Sequence, residues 1–208
     1  MAQQAHVAPN LQTSTGLDNR KLLMWLFLAS ECFFFGGLIG TYLLYRDRSI
    51  GPPFPMDTVY QGIHYEGLYD IPFTSISTFV LLMSSVSMVL ALAAVQRNDR
   101  RGTMAWLMCT SLLGIVFLAG QAFEFTEFVH EGLELDTNLF GTTFFVLTGF
   151  HGAHVSVGVL MLLSLWVMAA RGRLGAHNAL NVELAGLYWH FVDIVWIIIF
   201  TLIYLIQT

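Results

Sequence analysis

Five stretches of this chain stay apolar for twenty or more residues with almost no charge: about 22–45, 73–95, 102–129, 137–170 and 181–206. About 20 such residues are needed to cross the ~30 Å hydrocarbon core of a bilayer as an α-helix. Inside hydrocarbon every backbone N–H and C=O must be satisfied within its own segment, which leaves helices or a closed barrel. Runs this long and this uniformly apolar are helices. The expected fold is therefore all-α: a polytopic membrane bundle of five transmembrane helices. Composition agrees, with 56% hydrophobic and only 11% charged residues, where a soluble domain carries about 25% charged. The net charge of −5 and the absence of a basic tract exclude nucleic acid as a partner.

The breaks are well marked. Residues 46–72 contain Arg46, Asp47, Arg48 and the proline run Pro52, Pro53 and Pro55, which cannot be helical, so a long external loop is expected. Shorter breaks fall at 96–102, 131–136 and 171–178. Residues 1–21 read as a polar tail and 22–208 as the membrane domain. The tail shows no apolar core with a cleavage site, so a removable signal peptide is not expected. Arg20, Lys21, Arg97, Arg100, Arg101, Arg171 and Arg173 are seven of the nine basic residues, and five crossings put them all on one face. The positive-inside rule makes that face, with the N-terminus, cytoplasmic and the C-terminus external. Cys32 and Cys109 lie far apart in apolar runs and read as buried small side chains rather than a redox or disulfide pair. Gly36 and Gly40 have GxxxG spacing, and Gly149, Gly152, Ala153 and Ser156 place small residues on the fourth helix. Both sets suggest close helix contacts.

The informative residues are the ionisable ones inside the membrane, where a charge costs roughly 2.5–3.5 kcal/mol on insertion scales. Glu31 lies nine residues past Leu22, and Asp193 nine past Leu184. Both are thus about 14 Å deep from the same face. His190 precedes Asp193 by one turn, and His151 and His154 repeat that spacing, so each pair shares a helix face. Glu31, His151, His154, His190 and Asp193 can occupy one layer. Glu183 opens the fifth helix, and Glu124 sits near the outer end of the third, with Glu127 and His130 after it. Three readings are open. The histidines can satisfy hydrogen bonds within the bundle. They can ligate metal, since Glu127–His130 has Glu-x-x-His spacing, although di-iron bundles need two such motifs and two more glutamates; His154 and His190 could hold a haem. Transport is the third, but broken helices and an inverted repeat are missing. Glu31 is expected to be protonated or strongly hydrogen-bonded.

Four ordered motifs go further. Gly141-Thr142-Thr143-Phe144-Phe145-Val146-Leu147-Thr148-Gly149-Phe150-His151-Gly152-Ala153-His154-Val155 resembles the sixth helix of cytochrome c oxidase subunit III in its seven-helix form. Tyr188-Trp189-His190-Phe191-Val192-Asp193-Ile194-Val195-Trp196 resembles that family's last helix. Ser30-Glu31-Cys32-Phe33-Phe34-Phe35-Gly36-Gly37 resembles the segment of its carbodiimide-reactive glutamate, at Glu31. Gln121-Ala122-Phe123-Glu124-Phe125 resembles a further family segment. Two helices that precede this region in the seven-helix form have no counterpart here, as in five-helix bacterial forms. Lipid sites on that arm therefore do not carry over.

The resemblance implies a subunit without a redox centre of its own, in a proton-pumping haem–copper oxidase that reduces O₂ to water. Haem and copper would belong to partner subunits. The chain would pack directly on subunit I, with subunit II and a small subunit IV as further partners, in a bacterial cytoplasmic (inner) membrane. It would hold structural phospholipids, with Arg171 and Arg173 as head-group residues, and support proton uptake and active-site stability. The electron donor can be cytochrome c or a quinol. Alternatives are a quinol-oxidase subunit III, the subunit-III-like protein of nitric-oxide reductase systems, and an independent di-iron or haem membrane enzyme. The orientation is testable in intact cells. A cysteine placed at Asn98 should resist impermeant thiol reagents while one at Thr58 reacts, and the reverse pattern would invert the topology.

Overall fold

The computed structural model describes residues 18–46, 58–65, 67 and 69–206. Most of the expected N-terminal tail and the proline run of the first loop lie outside the described residues. Five long helices account for the apolar runs: α1 (Asn19–Tyr45), α2 (Ile71–Gln96), α3 (Arg100–His130), α4 (Leu139–Ala170) and α5 (Ala179–Phe200). A 3-10 turn at Ala176–Asn178 leads into α5, and a π-helical turn at Thr201–Leu205 continues it. All five are long and apolar enough to cross a membrane.

Short polar side chains start most of these helices by accepting from orphan backbone N–H groups. Asp18 accepts from the Arg20 amide of α1, Asp70 from Phe73 of α2, Asp99 from Gly102 of α3 and Asn138 from Gly141 of α4. The side chain and then the amide of Arg20 hold the Asp18 carboxyl below the usual carboxylate range. The first loop is less irregular than its proline run suggests. It contains an antiparallel hairpin, β1 (Thr58–Tyr60) and β2 (Ile63–Tyr65), with Val59 opposite His64. Gln61 and Gly62 turn it with φ of 51° and 82°, the left-handed pair that a two-residue hairpin requires.

The helices pack with α2 against α3, α3 against α4, and α5 against α2, α4 and α1. Trp189 of α5 joins four of them. A Cβ on Gly114 of α3 would lie 2.6 Å from its ring, and one on Gly158 of α4 2.8 Å away, so the indole fills a notch that two glycines leave open. Its Nε1 donates to Ser84 Oγ of α2 at 2.9 Å. Seven residues on, Trp196 repeats the arrangement: Nε1 donates to Thr78 Oγ1 at 2.9 Å and the ring meets Phe117 edge-on.

The first helix is peripheral. It packs on α4 and α5 through a seam of heptad spacing, with Leu28, Phe35 and Tyr42 buried and Met24 and Leu38 partly so. Its opposite face carries Leu26 and Phe33, the latter 84% exposed. Gly36 and Gly40 lie on that outer face with nothing within 4 Å of an added Cβ. The contact suggested by their GxxxG spacing is therefore not made among the described residues. Gly149 is likewise open, whereas Gly152 packs against the Gln121 amide. Glycine spacing alone misidentified the contacts, because the close approaches surround an indole rather than another helix backbone.

On the arginine-rich face, Arg100 closes the end of α4: its Nε and Nη2 donate to the carbonyls of Ala169 and Ala170. Asn98 Oδ1 accepts from the Ala176 amide at 2.8 Å, tying the two loops of that face together. The glycine notch yields a prediction. Gly158→Leu should lower stability by about 1–3 kcal/mol, as overpacking does, whereas Gly149→Leu should leave it nearly unchanged. Thermal melting in detergent checks both.

Candidate functional site

Glu31 occupies the α1 seam one turn before Phe35, so it faces α4. Its Oε2 lies 3.2 Å from His154 Nε2. The other ring nitrogen, Nδ1, is 2.7 Å from the Phe150 carbonyl one turn back on α4. A carbonyl only accepts, so Nδ1 carries a proton. Nε2 then either accepts the Glu31 O–H or, in the imidazolium, donates to the carboxylate. In both cases one proton lies between the two side chains and the pair as a whole is uncharged. That is how a carboxyl and an imidazole can share a hydrocarbon environment without an isolated charge. The His154 carbonyl also accepts from Tyr188 Oη at 3.0 Å, which links α4 to α5 at the same level.

The pair lies on the wall of a cavity of about 470 Å³, bounded by Met24, Phe27, Phe150, Val157, Met161 and Tyr188. The lining is apolar except for Glu31, His154 and the Tyr188 hydroxyl. An elongated apolar ligand fits this chemistry.

His151 takes no part in the pair. It is fully buried, stacks on Trp196 at 4.9 Å, and meets Phe117 and Phe35 edge-on. Neither of its ring nitrogens has a hydrogen-bond partner among the described residues. His190 and Asp193 face the other way, toward α2. Ser85 Oγ lies 2.5 Å from His190 Nδ1. Asp193 is buried beside Ser85, but neither carboxyl oxygen makes a well-formed hydrogen bond among the described residues. The five mid-membrane residues thus divide between two faces of the bundle: Glu31, His151 and His154 around Phe35, and His190 and Asp193 against Ser85.

Glu124 forms a third centre. Its Oε1 accepts from Thr74 Oγ1 at 2.8 Å and from Tyr204 Oη at 3.1 Å, joining α2, α3 and the π-helical turn after α5. Tyr69 packs on Tyr204 with ring centroids 4.6 Å apart. Glu183 is paired with Lys21 at 2.6 Å, half exposed at the ends of α1 and α5. Arg171 and Arg173 are exposed after α4. Glu127 and His130 are both exposed. Among the described residues, no three His, Cys, Asp or Glu side chains converge as a metal-binding group.

Several partners went unrecognised in sequence. Thr74, Thr78, Ser84 and Ser85 lie on α2, which carries no charge and therefore drew no attention. Their signal was hydroxyls at helical spacing, with Thr74 and Thr78 four residues apart and Ser84 and Ser87 three apart. Lys21 and Arg100 read only as orientation signals, yet each makes a specific bond.

Five apolar helices, held together by aromatic packing and by polar groups that satisfy one another across the bundle, define a multi-pass helical membrane protein. Its legible polar centres are proton-sharing or hydrogen-bonding groups rather than a ligand cage. The family model for cytochrome c oxidase subunit III matches residues 7–208, and the chain belongs to that family. It is 36% identical to cytochrome c oxidase subunit 3 of Bacillus sp. (strain PS3) over 98% of this chain and 94% of the relative. It is 40% identical to cytochrome c oxidase subunit 3 of Synechocystis sp., over 91% of this chain and 76% of the relative. Quinol oxidase subunit 3 of Bacillus subtilis is 34% identical, over 93% and 90%.

The Glu124 centre gives a stability prediction. Tyr204→Phe and Thr74→Val should each cost about 1 kcal/mol, because each removes one of the two hydroxyls that donate to a buried carboxyl, and the double variant should cost more because it strands that carboxyl. Adding Glu124→Leu to the double variant should recover part of the loss, since no stranded group remains. Denaturation in detergent reads both steps.

Proposed function

We propose that the chain is the non-catalytic third subunit of a proton-pumping haem–copper terminal oxidase, packed on subunit I in a bacterial cytoplasmic membrane. Subunit II and a small subunit IV would complete the assembly, and the haem and copper would lie in the partners. The observation that carries this reading is the family match over residues 7–208. The relatives include both cytochrome c and quinol oxidase subunits, so either donor is compatible. The N-terminus and the arginine-bearing loops face the cytoplasm.

Within that role the Glu31–His154 pair and its groove are a lipid-facing proton site. The groove suits an acyl chain, and because the pair shares one proton, releasing it leaves a single carboxylate charge rather than two separate charges. Glu124, His151, Glu183, His190 and Asp193 hold the bundle that positions it. Arg171 and Arg173 bind a phospholipid head group, each contributing about 1 kcal/mol with anionic lipid.

The test uses the assembled complex. A hydrophobic carbodiimide should label this chain, and Glu31→Gln should abolish labelling while leaving assembly and O₂ reduction nearly normal. Failure of the chain to co-purify with haem- and copper-bearing subunits would overturn the oxidase reading. Loss of O₂ reduction in a fully assembled, fully metallated Glu31→Gln complex would overturn the assigned role of Glu31.

A further inference from the structure

His190 and Asp193 sit one turn apart on α5, and neither is fully satisfied among the described residues. Ser85 Oγ of α2 meets His190 Nδ1 and lies beside the Asp193 carboxyl. Ser85 can donate to Nδ1, or accept from Nδ1–H and turn its own proton to Asp193. Nε2 is a donor in the first case and an acceptor in the second. It has no partner among the described residues and, unlike the orphaned nitrogens of His151, it is not enclosed by the bundle. His190 is 11 residues past Ala179, the first residue of α5, hence about 17 Å along the helix and near the middle of the membrane. Lipid tails offer a polar ring nitrogen nothing to bond at that depth, and water is absent.

Outward hydroxyls elsewhere close onto their own helices: Ser30 donates to Phe27, Thr41 to Gly37, Thr126 to Ala122 and Ser164 to Met161, each to the carbonyl. Those faces suit lipid. The His190 face differs. Its flanks are apolar and exposed, with Ile194 and Ile197 on α5 and Val86 and Val89 on α2. At its centre stands one unmet ring nitrogen, backed by a carboxyl only 3% exposed whose one polar neighbour is Ser85. In membranes an apolar face with a single polar group at mid-depth suits a contact between helices, where the polar group bonds across.

We propose that the α2–α5 face centred on His190 docks this chain against a transmembrane helix of another oxidase subunit, and that this helix presents a hydrogen-bonding side chain to Nε2. That side chain is a hydroxyl, a protonated carboxyl or an amide, each of which can donate or accept. The assignment rests on the oxidase reading above and adds which face is used and by what chemistry.

The test uses the complex purified through a tag on a partner subunit. A photo-crosslinking residue at Ile194 should capture another subunit, while the same residue at Phe33 on α1 or Phe123 on α3 should capture lipid. His190→Phe should lower the amount of this chain retained after detergent washing by roughly fivefold, the factor for a hydrogen bond of about 1 kcal/mol. His190→Gln, which keeps a donor, should be retained almost as well as the native chain. Capture of a subunit from Phe33 or Phe123 but lipid from Ile194 would overturn the face assignment and leave the oxidase reading intact. Full retention of His190→Phe would overturn the hydrogen bond. If the native chain is not recovered with the tagged subunit and none of the three positions captures one, the oxidase reading itself falls.

Discussion

The seating of Trp189 in the notch between Gly114 and Gly158 is the contact on which the rest of the bundle depends. Helices surrounded by lipid gain little from the hydrophobic effect, so they are held by close packing and by hydrogen bonds that the lipid cannot supply. Trp189 provides both. Its ring fills space against α3 and α4, and its N–H reaches Ser84 of α2. A residue on α5 thereby sets the distances among the other three helices. Trp196, one heptad on, does the same at the level of His151 and Thr78. Because α5 is anchored this way, His190 and Asp193 are held toward α2 while Tyr188 reaches across to the His154 carbonyl.

The polar groups follow from that frame. Those that meet across the bundle find their partners in one another. Glu31 and His154 share a proton, Glu124 is held by two hydroxyls, and Lys21 neutralises Glu183 at the membrane edge. The peripheral helix α1 packs on one side only, and Glu31 on its seam finds a partner in α4.

Much was legible from particular residues. Five uninterrupted apolar runs became five helices. The Trp/His/Asp string at 188–196 and the paired histidines at 151 and 154 located the helices that carry the polar centres. Glu31 stood out because a mid-membrane carboxylate needs a reason to be there. The GxxxG spacing at Gly36 and Gly40 misled, since those glycines face away from the bundle. Thr74, Ser84, Ser85 and Tyr204 were passed over because a hydroxyl in an apolar run looks innocuous until its acceptor is known. The hairpin at 58–65 was concealed within a loop recognised only by its prolines.

The sequence by itself determined the number of helices and the fold class, and its motifs marked the family. These are local properties: a helix in hydrocarbon must satisfy its own backbone, so its length is written in one contiguous stretch. Tertiary structure alone decided which polar groups meet. Glu31 and His154 are 123 residues apart, and Thr74 and Glu124 are 50 apart. A transmembrane helix is apolar nearly all round, so it lacks the amphipathic stripe that tells the inner face of a soluble helix from the outer. Which side of α1, α2 or α5 turns inward is set by the fit of indoles, glycines and hydroxyls between helices. That fit exists only once the helices have come together.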